Sequence, residues 1–384
     1  MDLKNKAKLR TWVEISKKSL LHNFNTFKKL AGEKVGIMSV VKANAYGHGI
    51  NEVASLLEEA GSDWFAVDNL DEALTIRLTK VKKPILILGY IPITRVKEAI
   101  ENDISFVLYR EDFLSKIALF ELGKKAKVHL KIETGLNRQG LSPNEAVKFA
   151  MKILQGRKVE LEGISTHFAN IEDTRDPAFA MEQLSHFKTV LKKLNAKKIK
   201  VSVIHCAASA ASLLYKETHF NMLRLGISMY GLWPSKEIRN MLSLKKGKNS
   251  IDLKPVLEWK SKLAQVKTLK AGESVGYGRT WFAPRRTKIA IIPVGYYDGY
   301  DRDLSNNSRV LIRGNSAPVV GRVAMNMITV DVTDINKVSE DDEVVLIGKS
   351  NKERITADEL ATVLGTINYE VVSRINPYLP RIIV

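Results

Sequence analysis

The sequence predicts an α/β fold: a (β/α)8 TIM-like barrel over residues 1–240, followed by a mostly β C-terminal domain over residues 241–384. Two observations predict it. Between about residue 17 and residue 232, eight short apolar runs rich in β-branched residues alternate with helical patterns. Strict alternation implies a parallel sheet, and eight repeats imply that it closes. From about Pro255 onward the pattern becomes many short strands separated by tight turns, the signature of a β-rich domain.

The eight candidate strands are Val35–Val41, Trp64–Val67, Pro84–Leu88, Ile104–Leu108, Lys127–Glu133, Val159–Thr166, Lys200–His205 and Met222–Leu225. After the first, Val53, Leu56, Leu57 and Ala60 share one helical face, and Gly61 can close that helix. Ser142 and Pro143 supply a cap and a first-turn proline for another helix. An open doubly wound sheet is the alternative, but no GxGxxG follows the first strand. A polar, lysine-rich connection runs from Ser235 to Lys254. Beyond it the candidates are Glu258–Thr268, Lys288–Val294, Arg309–Ile312, Ala317–Arg322, Ile328–Val332 and Glu343–Ile347. One helix intrudes, Thr356–Leu364, opened by a Thr356/Glu359 capping box. Thr11–Ile15 is strand-like and could join either domain.

Composition narrows the function classes. The longest apolar stretch, Pro84 to Ile93, is about half of the roughly 20 residues that a membrane span needs. The polar, basic stretch from Met1 to Trp12 lacks the apolar segment of a signal peptide. The single cysteine, Cys206, excludes an internal disulfide and suits a reducing interior, so a cytoplasmic location is expected. The net charge of +18 invites a polyanion partner. However, the lysines are dispersed, and the densest group, Lys245, Lys246 and Lys248, has no interleaved aromatics to stack bases. A solvated basic surface is expected, with no nucleic acid and no membrane.

In a (β/α)8 barrel, reactive groups gather at the carboxyl ends of the strands. The first strand runs into Lys42-Ala43-Asn44-Ala45-Tyr46-Gly47-His48-Gly49. A lysine there starts half-buried, which lowers its pKa and frees the amine for a Schiff base. An isolated lysine would more often snorkel to solvent. The other strand ends change that balance. They carry Lys131 and Arg138, Thr166-His167, His205 and Ser209, and Arg224-Leu225-Gly226-Ile227. Singly, His167 and His205 read as structural histidines and Ser209 as a helix cap. Together they have the shape of an anionic-cofactor site, because Ser209 opens a helix and Gly226 admits close backbone approach. No paired-cysteine or HExxH spacing suggests a metal, and neither a P-loop nor a GxSxG elbow is present.

The segment Val40-Val41-Lys42-Ala43-Asn44-Ala45-Tyr46-Gly47-His48-Gly49 resembles the pyridoxal-phosphate (PLP) attachment signature of alanine racemases. The similarity extends along nearly the whole chain, through Val275-Gly276-Tyr277-Gly278-Arg279, Gly295-Tyr296-Tyr297-Asp298-Gly299, Gly321-Arg322-Val323-Ala324-Met325 and Asn368-Tyr369-Glu370-Val371. The resemblance implies a PLP-dependent isomerase working as a homodimer, interconverting L- and D-alanine for cell-wall peptidoglycan. Lys42 would carry the coenzyme and act as one base, and Tyr277 would be the other, reaching into the partner subunit's site. Arg224 would face the pyridine nitrogen, with His205 behind it and His167 touching the Tyr277 phenol. Tyr46, Ser209, the backbone of Gly226 and Ile227, and Tyr369 would hold phosphate. Arg138 and the Met325 amide would receive the substrate carboxylate, and Lys131 would orient Arg138, as a carbamate in many members. Four positions depart from the family pattern: Asn137 for glycine, Ala208 for asparagine, Ala324 for cysteine and Asn326 for aspartate. They bear on substrate preference more than on reaction type. A serine or broad-specificity racemase is the nearest alternative. A PLP barrel decarboxylase or aldolase comes next, but a decarboxylase needs no second base at Tyr277.

Overall fold

The computed structural model describes residues 7–121, 123–173, 175–243 and 251–384. Lys245, Lys246 and Lys248, with the middle of the Ser235–Lys254 connection, lie outside the described residues. The chain divides into two units. One comprises the described residues up to Ser19 with Asn44–Glu52 and Pro255–Val384; the other comprises Leu20–Ala43 and Val53–Lys254.

The first strand, β1 (Thr11–Ile15), belongs to the β-rich unit, and the barrel strands follow it. They are β2 (Gly36–Val40), β3 (Trp64–Val67), β4 (Ile85–Ile87), β5 (Ile104–Leu108), β6 (Ala126–Lys131), β7 (Val159–Ser165), β8 (Val203–His205) and β9 (Met222–Leu225). All neighbours are parallel, in the order β8-β7-β6-β5-β4-β3-β2-β9. The eight expected runs therefore form one sheet, most of them trimmed at the ends. β8 starts at Val203 rather than Lys200 because the Asn221 side chain takes over the backbone pairing there. Its Oδ1 accepts from Ile204 N–H at 2.7 Å, and its Nδ2 donates to Ser202 O at 2.8 Å. The Arg224 N–H then donates to Ala207 O at 2.9 Å, bridging the seam between β8 and β9. Burial on both faces explains why these strands read as almost unbroken apolar runs. The buried exceptions Ser105, His129, Lys131, His205 and Arg224 mark a polar layer inside the barrel.

Two helix starts match their sequence signals. Ser142 caps Pro143–Gln155 with a full capping box to Glu145. Thr356 caps Ala357–Leu364 through Glu359 N–H, but the Glu359 carboxylate turns instead to Arg309 at 2.8 Å. The second half of that expected box is absent because a guanidinium outbids a backbone N–H for the carboxylate.

The β-rich unit contains β10 (Leu257–Lys262), β11 (Gln265–Leu269), β12 (Ser274–Val275), β13 (Trp281–Phe282), β14 (Thr287–Ile292), β15 (Arg309–Ile312), β16 (Asn315–Pro318), β17 (Ile328–Asp331), β18 (Glu343–Ser350), β19 (Glu353–Ile355) and β20 (Arg381–Ile383). One sheet runs β16-β15-β18-β10-β1-β20, a second runs β11-β14-β17, and β12 and β13 form a hairpin. The run Glu258–Thr268, expected as one strand, breaks at Leu263-Ala264, and its halves enter different sheets. A short helix, Asn368–Ser373, carries Tyr369 and was not expected from the sequence. No helix among the described residues is long and apolar enough to cross a membrane.

Candidate active site

The lysine at the end of β2 sits on an unusual turn. Lys42–Tyr46 forms one helical turn, but Ala43, Asn44, Ala45 and Tyr46 all have φ between 52° and 54°. Each side-chain-bearing residue in this left-handed region costs roughly 1–2 kcal/mol. Several contacts offset that strain. Glu72 accepts from the Ala43 N–H at 2.6 Å through one carboxylate oxygen and from the Asp68 N–H at 2.8 Å through the other. Asn44 Oδ1 accepts from Ile50 N–H at 2.8 Å. Gly47 follows at φ +83°, where an added Cβ would fall 1.9 Å from Val372 O, so glycine is required there. Arg381 Nη2 donates to the Gly47 carbonyl at 3.0 Å. The Lys42 side chain keeps 39% of its surface exposed, and its Nζ lies 3.6 Å from Asp68 Oδ1. Sequence reasoning missed Asp68, which lies on a loop after β3 with no motif around it. Tyr46 and Tyr369, 323 positions apart in sequence (369 − 46), bring their rings to 6.2 Å between centroids.

Arg224 is the hub of the barrel's polar layer. Its side chain is buried, and both terminal nitrogens are fully engaged. Nη1 donates to His205 Nδ1 at 2.8 Å and His205 O at 2.9 Å. Nη2 donates to Thr166 O at 2.9 Å, His167 Nδ1 at 3.0 Å and Cys206 O at 3.1 Å. The Nε–H has no partner among the described residues, which leaves it for a ligand. Burial pushes the guanidinium pKa down to about 10. A guanidinium only donates, so both imidazole Nδ1 atoms are acceptors and each ring carries its proton on Nε2. Burial, with repulsion from Arg224, holds His167 and His205 well below the ordinary histidine pKa.

Behind His205 the layer continues through two residues that the sequence did not single out. His205 Nε2 lies 2.8 Å from His129 Nδ1, and His129 Nε2 lies 3.3 Å from Glu162 Oε2. The signal available was a histidine amid apolar β6 and a glutamate followed by Gly163 in β7. A Cβ on Gly163 would sit 2.4 Å from His129 Nδ1, so the glycine makes room for the ring.

On the neighbouring strand end, Lys131 is 8% exposed. Burial, with repulsion from Arg224 and Arg138, holds its pKa well below the ordinary lysine value. The loop to Arg138 wraps the Glu133 carboxylate, which accepts from the Gly135 N–H at 2.6 Å and the Arg138 N–H at 3.2 Å. Asn137 has φ +55°. Asparagine is among the few residues other than glycine that adopt this region readily, which explains how it replaces the family's glycine. Gln183 ties the ends of β6 and β7 together, donating to Thr134 Oγ1 and His167 O, each at 3.3 Å.

Ser209 is the first residue of the helix Ser209–Leu214, not its cap: Ala208 holds the cap position and makes no side-chain capping bond. The Ser209 hydroxyl instead accepts from the N–H groups of Gly226 and Ser228, both at 3.3 Å. Ile227 opens the turn Ile227–Tyr230, and the buried Ser228 hydroxyl has no partner among the described residues. Donors therefore cluster here with no carboxylate among them, the composition of an anion cradle.

In the β-rich unit, Tyr277 lies on the turn Tyr277–Arg279 between Gly276 (φ +72°) and Gly278 (φ +73°), and it is 75% exposed. Met325 is also exposed. Its carbonyl accepts from Tyr297 N–H at 2.9 Å.

The buried histidines make a pH prediction. Burial lowers His48 to about 4, and His129 and His205 shift the same way. Unfolding returns each to an ordinary value near 6.5. Between those values the unfolded chain binds more protons, so stability is full above the unfolded pKa and is lost as pH falls. Each group contributes a slope of up to about 1.4 kcal/mol per pH unit. The urea midpoint is expected to drop between about pH 7 and about pH 5.5. Equal midpoints would show that these rings are already protonated in the fold.

A nearly closed parallel barrel presenting a lysine, two arginines and two imidazoles at its strand ends has the make-up of a barrel enzyme, here joined in one chain to a β-rich unit. Residues 15–234 match the alanine racemase N-terminal domain, and residues 256–383 match the alanine racemase C-terminal domain. The chain belongs to the alanine racemase family. It is 40% identical to alanine racemase 2 of Caldanaerobacter subterraneus subsp. tengcongensis over 377 residues, 97% of this chain and 94% of that one. The crystal structure of the Bacillus anthracis alanine racemase with bound L-Ala-P superposes with a TM-score of 0.91 at 34% identity, covering 98% of this chain and 95% of that one. A histidine racemase from Leuconostoc mesenteroides subsp. sake has a TM-score of 0.88 at 30% identity, covering 98% of each chain.

Proposed function

We propose that this chain interconverts L- and D-alanine using pyridoxal phosphate, in the cytoplasm, supplying D-alanine for peptidoglycan. When bound, that group supplies an electron sink for deprotonation at the substrate Cα. The residues fit it. The observation that carries the reading is Arg224, whose terminal nitrogens are fully engaged while Nε–H is left over. A nitrogen acceptor of the ligand facing that Nε–H stays unprotonated, because an arginine does not give up its proton. The Ser209 hydroxyl, the Ile227 N–H and the Ser228 hydroxyl suit a phosphate, with the Gly226 N–H, which donates to Ser209, able to turn to it; Tyr46 and Tyr369 would add two phenols.

Lys42 would hold the cofactor and move a proton on one face of Cα, with the Tyr277 phenol serving the other. The His167 Nε2–H, fixed by Arg224, is the donor left to orient that phenol. Arg138 and the Met325 N–H would bind the carboxylate. Lys131, buried and with its pKa lowered so that the neutral amine is favoured, can add carbon dioxide: its nitrogen lone pair forms the N–C bond, a proton leaves, and the resulting carbamate can orient Arg138. Tyr277, Tyr296, Tyr297, Met325 and Met327 are each exposed on the β-rich unit, and large apolar side chains left in solvent suit cover by a second copy of the chain. A homodimer would place each Tyr277 in its partner's site. A broader amino-acid range is the second reading, because a histidine racemase shares the fold.

Purified protein incubated with L-alanine, L-serine and L-lysine in deuterated water is expected to racemise alanine fastest, with deuterium entering at Cα. Faster turnover of serine or lysine would overturn the substrate assignment, and no turnover of any would overturn the reaction.

A further inference from the structure

Arg224 is a buried cation with no ion pair among the described residues, which is an expensive arrangement unless its charge is answered elsewhere. Its connections lead in one direction to a single carboxylate. The Arg224 Nη1–H donates to His205 Nδ1 at 2.8 Å, His205 Nε2 lies 2.8 Å from His129 Nδ1, and His129 Nε2 lies 3.3 Å from Glu162 Oε2. Ser105 Oγ donates to the same Glu162 oxygen at 2.6 Å. His129 and His205 are fully buried, and the Glu162 side chain is 13% exposed.

The proton positions along this line are determined at both ends. Arg224 can only donate, so His205 must offer Nδ1 as acceptor and carry its proton on Nε2. A carboxylate can only accept, so His129 must carry its proton on Nε2 and offer Nδ1 to His205. The two requirements agree, and each imidazole N–H along the line has an acceptor. Burial raises the Glu162 pKa, but the hydrogen bonds from His129 and Ser105, with attraction from His129 and Lys127, more than offset it and leave the group below the ordinary glutamate value. The site is built for this line: Gly163 leaves the space that the His129 ring fills.

We propose that Glu162 is a positioning residue: as terminal acceptor of the His129–His205 line, it fixes the His205 tautomer and thereby holds the Arg224 guanidinium in its orientation. This rests on the reading that Arg224 serves the racemase site. Without the acceptor, the His129 Nε2–H would be buried and unpaired. The pair would then be drawn to the reversed arrangement, in which His205 carries its proton on Nδ1. That proton would point at Arg224 Nη1–H, two donors would face each other, and the guanidinium would turn away.

The test is nitrogen-15 NMR of the histidines in the full-length apoprotein, paired with steady-state kinetics of the loaded enzyme. The wild type is expected to show His129 and His205 as neutral Nε2–H tautomers. Glu162→Gln keeps a carbonyl oxygen to accept from His129, so it should retain both tautomers and stay within about threefold of the wild-type kcat. Glu162→Ala should populate Nδ1–H at His205 and lower kcat on the order of tenfold or more at unchanged KM, an effect of the size typical of residues behind a ligand-holding group. An Nδ1–H tautomer at His205 in the wild type overturns the proposal without any variant, which covers the case in which Glu162→Ala does not fold. A Glu162→Ala protein with wild-type tautomers, or with altered tautomers and wild-type kcat, overturns it as well. So does Glu162→Gln behaving like Glu162→Ala. If the wild type racemises nothing, the reading of the reaction fails, while the NMR measurement still decides the line.

Discussion

Lys42→Ala is expected to remove racemisation by at least the roughly 10²–10⁴-fold that a positioned proton-transfer group supplies. The deeper effect is on the coenzyme. Lys42 is the lysine at the carboxyl end of β2, and its ammonium group stands 3.6 Å from Asp68 at the rim. Borohydride reduction of the wild-type protein loaded with pyridoxal phosphate should place the label on the peptide containing Lys42. The variant should bind pyridoxal phosphate without covalent capture. Label appearing on another lysine, or an undiminished rate in Lys42→Ala, would remove the centre of the proposed function. The substitution is not expected to unfold the barrel, because the turn that presents the lysine is held through backbone groups of Ala43, Asn44 and Gly47 rather than through the amine.

Tyr277→Phe carries the second large effect, and its form is more informative than its size. A single base can remove and return a proton only on its own face of Cα. The variant should therefore lose racemisation in both directions, again by roughly 10²–10⁴-fold. It should still exchange the Cα hydrogen of one enantiomer with deuterated water, because Lys42 remains. Exchange retained for both enantiomers would show that another group serves the second face. Tyr277 is 75% exposed, so the phenol's proposed work in a partner subunit has its own check. Mixing Lys42→Ala and Tyr277→Phe chains should restore one intact site per mixed dimer. Absence of any recovery would place both bases of a site in the same chain.

Much of this was legible in the order of residues. Ile104–Leu108, Trp64–Val67 and Met222–Leu225 form strands at the bounds read from sequence, since a strand buried on both faces leaves a run of apolar residues with sharp ends. The Leu263-Ala264 break was hidden because no glycine, proline or other turn residue marks it, and two apolar residues in a row read as a continuing strand. His129 and Glu162 were missed for a different reason. A histidine inside an apolar strand looks the same whether it packs passively or completes a hydrogen-bonded line, and only the distances to His205 and Ser105 distinguish the two. The lysine's surroundings differ too. A half-buried amine was expected from the apolar strand before it, and the fold supplies an acidic neighbour from the next strand's loop. The four departures from the family pattern are understood unevenly. Asn137 answers a backbone requirement and Ala208 simply gives up a capping bond; nothing in the structure explains Ala324 or Asn326.

The mirror-image winding of Ala43 to Tyr46 bears on which sequences can occupy this segment at all. Its four residues are small or flat, Ala-Asn-Ala-Tyr, and a valine or isoleucine would have its branched carbon forced against the preceding carbonyl. Handedness of the main chain, more than any contact made by these side chains, filters what can stand there. The stretch that carries the family resemblance is thus in large part the imprint of a peptide coiled against its preference, beginning one residue after Lys42.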